Sequence, residues 1–243
     1  MSVKLESSLT DLMTSLAVIF ILLMVAMINN VGQSGKSDIE NIRNELLDKY
    51  KIDCKPVVDD PLACTITFSD KEFMFNFGDD KILIQGEDSN KLKDKLLRIM
   101  ETLTSDDRQK NINGVFIDGY TDDDGDDETN LELSQRRSLA VGQFLLNNVY
   151  ANNPKYKKED LDKYKKYLLE WLYLNGRGEQ NPFKFDNYSY KYDFKPISLK
   201  QNRVFEIEDI RKARSRRVEL TIRVKSFSQR TKQEIQSATK PSP

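Results

Sequence analysis

The residues able to carry chemistry fall into two groups far apart in the chain. The first is a single carboxylate, Asp11, at the head of an apolar run, with Thr14 and Ser15 at i+3 and i+4 on the same helical face. A carboxylate inside a bilayer is costly unless it is protonated, paired or open to a watery path, and burial raises its pKa. The arrangement therefore suits a proton or ion site, with an interfacial helix cap as the plainer reading. The second group is an acid-rich string at residues 122–128, followed by Arg137. Arg137 lies four residues after Leu133 and four before Val141, on the apolar face of a helical run, so its guanidinium requires a partner. Asp122 is the expected one. The two would form either a closed salt bridge or an open pair that takes the ammonium and carboxylate of a zwitterion. Calcium is a poor fit, because DDDGDDE is out of register with the EF-hand loop.

What the chain lacks narrows its chemistry further. It has 243 residues, 38 Lys+Arg against 39 Asp+Glu, and no histidine. Ser-His-Asp and Cys-His catalysis, zincin motifs and imidazole-ligated zinc or haem are thereby excluded. A formal charge of −1 argues against direct nucleic-acid binding, in which many phosphates are neutralised. No phosphate loop or nucleophile–base pair stands at recognisable spacing, so neither an enzyme nor a bound cofactor is expected. Cys54 and Cys64 flank a segment whose Asp60-Pro61 favours a turn. Outside the cytoplasm a disulfide across this loop would stabilise the fold by about 2–3 kcal/mol; elsewhere the two remain thiols.

The elements that must position these residues begin with the apolar run. No charge lies between Asp11 and Lys36, and residues 12–28 are apolar except for Thr14 and Ser15. Such a helix rises roughly 26 Å, close to the hydrocarbon thickness of a bilayer. The preceding residues carry one Lys against two acids, and no A-x-A-like site follows, so a retained single-pass transmembrane helix is expected rather than a cleaved signal peptide. Ser37-x-x-Glu40 then has the capping-box pattern, predicting a separate neck, plug or first packed helix within residues 31–51. Alternation predicts strands at residues 64–68, 73–77 and 81–85, a buried strand at 114–118 and a last strand at 218–224. Apolar spacing predicts helices over residues 92–103, 130–149 and 161–172. Residues 176–212 read as an inserted loop and 227–243 as a disordered tail. The order βαβα(α)β around one sheet gives an α+β fold.

Thr121-Asp122, Gly125, Asn130, Leu133-Ser134 and Arg137 match the T-D-x-x-G-x-x-x-x-N-x-x-L-S-x-x-R pattern of OmpA-like peptidoglycan-binding domains. Ser215-Arg216-Arg217-Val218-Glu219 resembles the N-R-R-V-E that precedes the family's last strand, with Ser in place of Asn. The resemblance covers residues 52–226 and implies a βαβαβ domain with a mixed sheet. It also implies that Asp122 and Arg137 bind the amine and carboxylate of diaminopimelate in the peptidoglycan stem peptide. Thr121, Asn130, Leu133, Arg216 and Arg217 complete the implied site. Residues 1–30, around Asp11-Leu-Met-Thr14 and its apolar helix, resemble flagellar stator B subunits (MotB-like). That resemblance implies ion transfer by Asp11, with protons as coupling ion or sodium served by the same carboxylate. It further implies a homodimer inside a pentamer of a larger A subunit, a bacterial inner-membrane location, a cytoplasmic N-terminus and a periplasmic C-terminal domain. The short N-terminal segment, the long insert and the S-R-R-V-E-L string look most like the B subunits of Zorya anti-phage systems (ZorB), whose partner is a ZorA-like A subunit.

Overall fold

A computed structural model describes residues 2–73, 75, 80–82, 87–149, 158–180 and 211–238; side chains at 1–11, 26–34, 70–71, 158–160 and 234–238 are outside the description. The first element, α1, is one helix from Ser2 to Tyr50. The Ser37-x-x-Glu40 pattern therefore lies within a continuous helix and starts no new one. Along residues 12–25 the side chains of α1 are exposed and, apart from Thr14 and Ser15, apolar. Among the described residues no helix is long and apolar enough to cross a membrane. The far end of α1 packs into the domain, burying Ile39, Ile42 and Leu46 at helical spacing. Residues 35–50 thus pack one face of α1 into the core. Lys51 ends α1 in the left-handed region at φ 58°, and the Ile52 N–H bonds back to the Leu46 carbonyl at 2.9 Å.

Five strands form one mixed sheet in the order β1-β2-β5-β3-β4: β1 Lys55–Val57, β2 Asp60–Ser69, β3 Ile112–Tyr120, β4 Leu172–Gly176 and β5 Arg217–Val224. Only β3 and β4 run parallel. The alternation of β5 is visible in its burial: Val218, Leu220, Ile222 and Val224 are buried while the residues between them are less so. Helices α3 (Glu87–Leu103), α4 (Asp127–Phe144) and α5 (Lys158–Trp171) supply Leu96, Ile99, Met100, Val141, Phe144 and Leu168 to the same core. A π-helical turn, Leu145–Val149, follows α4. A disulfide joins Cys54 and Cys64, fastening the segment after α1 to β2.

Three local expectations are corrected. The strand expected at residues 73–77 begins as a helical turn, α2 (Asp70–Phe73), because Ser69-x-x-Glu72 is a capping box. The Glu72 carboxylate accepts from the Ser69 N–H at 2.8 Å and from its hydroxyl at 3.2 Å. The tail expected to be disordered from residue 227 contains α6, Phe227–Ala238. It too opens on a box, with Gln229 Oε1 accepting from the Ser226 N–H at 2.8 Å, and it docks through Arg230 on Asp38 of α1 at 2.7 Å. A strand not expected from the sequence, β4, runs from the end of the helix expected through Leu172 into the first residue of the insert expected from residue 176. The strand expected at 81–85 lies mostly outside the described residues, as do 181–210 of the insert and 239–243 of the tail.

Candidate functional site

β3 carries its polar residues to one end of the sheet. Its last residue, Tyr120, is followed by Thr121 and Asp122, 2% and 5% exposed, and then by the acid-rich turn that leads into α4. Gly125 takes φ +99° there, a conformation that favours glycine. Asp126 caps α4, accepting from the Thr129 N–H at 2.9 Å and the Thr129 hydroxyl at 2.7 Å, bonds that hold its carboxyl below its ordinary pKa. From α4 come Asn130 and Arg137, both buried, while Leu133 is half-buried between them. Arg137 is 1% exposed, and its guanidinium lies over the Phe75 ring, 5.1 Å from the centroid. α4 reaches β3 closely because Gly119 has no side chain. A Cβ there would lie 2.3 Å from the Ser134 carbonyl oxygen.

Asp122 is held by Arg216, whose Nη1 is 2.5 Å from Oδ2. The next two acids are held in the same way by the helical turn at 211–215. Arg211 bonds Asp123 at 2.7 Å and Lys212 bonds Asp124 at 2.6 Å. The Arg211 hydrogen bond is the main cause that lowers the Asp123 pKa from its ordinary value. Most of the acid-rich string is therefore occupied by ion pairs and a helix cap, which gives its charge a structural use other than metal binding. Among the described residues no cluster could hold a metal ion. The Ser215 hydroxyl, where the family pattern has Asn, bonds back to the Arg211 carbonyl at 2.9 Å. Arg217 is placed apart from Arg216: its guanidinium lies 3.9 Å from the Tyr120 ring centroid and donates to Glu219 at 2.6 Å. Burial, with Glu219 and Asp118 nearby, pushes the Tyr120 hydroxyl up to a pKa of about 12.

Asp122 and Arg216 thus pair just beyond β3, Thr121 and Asn130 are linked through the corner at residues 178–179, and Arg137 is buried further along α4 against Phe75, with Leu133 on the helix between it and Asn130. The first group is remote in sequence and sits on α1, where Thr14 and Ser15 are exposed; the side chain of Asp11 lies outside the described residues. Arg211, Lys212 and Glu179 were not foreseen. Their partners in the turn and on α4 are 49 to 88 residues away, a separation that no periodicity reports.

Residues 74–188 match the model of the OmpA family. The chain carries an OmpA-like domain. Similar solved structures include a MotB-like protein from Desulfovibrio vulgaris, at 17% identity over 81% of this chain and 98% of that one, with a TM-score of 0.46. The periplasmic domain of Helicobacter pylori MotB is 18% identical over 75% of this chain and 95% of that one, at 0.40. An outer-membrane protein from Borrelia burgdorferi is 21% identical over 71% and 96%, at 0.37. At these scores the structural likenesses carry no part of the functional argument. No curated protein sequence matches. The OmpA match ends before β5, so Arg216 is tied to the site by its ion pair with Asp122 and not by that match.

Proposed function

We propose that the chain is the B subunit of an ion-driven motor in a bacterial inner membrane, anchored to peptidoglycan by its OmpA-like domain. One observation supports the wall-binding half most: Thr121, Asp122, Asn130 and Arg137, at the spacing of the family pattern, are all buried polar or charged residues on the turn after β3 and the helix α4 that follows it. Arg137 offers a planar fork for a carboxylate, and the Asp122 side offers acceptors for an ammonium, the two ends of a diaminopimelate stem peptide.

The motor half is supported by α1. Asp11 lies within α1, directly before residues 12–25, whose side chains are exposed and, apart from Thr14 and Ser15, apolar, a composition that suits a single-pass anchor. Two copies would each present Asp11 to a surrounding pentamer of a MotA-like A subunit. Protonation neutralises the carboxylate and releases it from polar partners, and deprotonation re-engages them, so that proton flow steps the ring. The narrower assignment to anti-phage defence, with a ZorA-like partner, is supported by sequence resemblance alone; a flagellar stator would use the same parts. Co-expression of Asp11→Asn with the A subunit tests the motor. Proton conductance and defence or torque should vanish while membrane insertion stays normal. Function at the wild-type level would make the chain a passive envelope tether.

A further inference from the structure

Because Arg216 already takes up one oxygen of Asp122 at 2.5 Å, a cationic ligand group entering the site shares that carboxylate and gains from a second one. One is supplied by the corner that follows β4. The Arg177 N–H bonds the Gly119 carbonyl at 2.9 Å, the Thr121 N–H bonds the Gly178 carbonyl at 2.8 Å, and the Gly178 N–H bonds Ser134 Oγ at 2.9 Å. Gly178 takes φ +57° against the backbone of Leu131, so the corner is seated on α4. These bonds place Glu179 beside Asn130, with Nδ2 to Oε2 at 3.5 Å. That contact is long and uses little of a carboxylate's acceptor capacity. At the same corner Thr121 Oγ1 is buried without a hydrogen-bond partner among the described residues. A half-exposed carboxylate thus stands beside a buried amide, one residue from the glycine that accepts from the Thr121 N–H.

We infer that Glu179 is the specificity-determining residue by which this site selects a free ammonium over an acylated amine, and hence stem peptides that are not cross-linked through that amine. The inference rests on the peptidoglycan reading above. A free ammonium brings a charge and three donors to Glu179; the same nitrogen in a cross-link brings one donor and no charge.

The test is calorimetric titration of the detergent-solubilised full chain with a diaminopimelate-containing tripeptide stem and with its side-chain N-acetylated analogue. The wild type should prefer the free amine by about tenfold or more, the usual scale for a hydrogen bond to a charged group. Glu179→Gln should bring the free-amine ligand down to the affinity of the acetylated one without changing the latter, and Glu179→Asp should restore part of the preference. If Glu179→Gln keeps the wild-type ratio, or weakens both ligands equally, Glu179 does not determine specificity, while the site itself stands. If the wild type binds neither ligand, the peptidoglycan reading falls and this inference with it.

Discussion

A carboxylate as buried as Asp122 is tolerated because Arg216 neutralises it, and removing that partner is the most damaging single change the site offers. Arg216→Ala should cost about 3 kcal/mol, read as a lowered urea midpoint, and Asp122→Asn in the same chain should recover much of it. The neighbouring pair is more exposed and worth less, on the order of 1 kcal/mol or below. Its pH dependence has a definite sign. Arg211 holds the folded Asp123 below its unfolded value of 3.8, so the contribution is present above that pH and lost as pH falls through the lower folded value. Asp123→Asn should therefore lower the Tm slightly at neutral pH and flatten its decline on acidification below about pH 4. Asp122 and Arg137 stood out in the sequence, one in an acidic string and the other a charge on an apolar stripe. Arg216 as the ion partner of Asp122 did not, since 94 residues separate them.

At the scale of elements, the binding end of the sheet depends on the close approach of α4 to β3. Gly119→Ala would push a methyl group against the Ser134 carbonyl, and backbone cannot yield as a side chain can. It should cost about 2–3 kcal/mol and weaken ligand binding together with stability, because Arg137 rides on the same helix. Lys51 presents the opposite opportunity. A lysine at φ 58° bears left-handed strain, so Lys51→Gly should stabilise the fold by about 1 kcal/mol, measurable by thermal unfolding. These elements were unequally legible. β5 declared itself by strict alternation, and α3 by its apolar stripe. The capping box at Ser37-x-x-Glu40 is misleading because helix already runs through it, whereas those at Ser69-x-x-Glu72 and Ser226-x-x-Gln229, which the strand and tail expectations left out, do open helices. Local capping chemistry states that a helix can start, whereas tertiary packing decides whether the chain was helical already. β4 escaped notice because Leu172 and Leu174 continue the apolar pattern of α5 and become a strand only by pairing with β3.

Over the whole molecule, one long helix is fixed to a mixed sheet at its far end by three devices: the apolar seam of Ile39, Ile42 and Leu46, the Asp38–Arg230 ion pair, and the disulfide just beyond α1. These devices join the far end of α1 firmly to the domain. Reducing the disulfide should lower stability by about 2–3 kcal/mol, seen as a lower Tm with reductant than without. Co-sedimentation of the solubilised full chain with purified sacculi tests most directly whether the buried charges Asp122 and Arg137 hold the cell wall. Wild-type protein should pellet with the sacculi, while Asp122→Asn and Arg137→Ala, checked for folding by their unfolding transitions, should stay in the supernatant. Folded variants that pellet as fully as the wild type would contradict the account and leave Asp122 and Arg137 as structural charges.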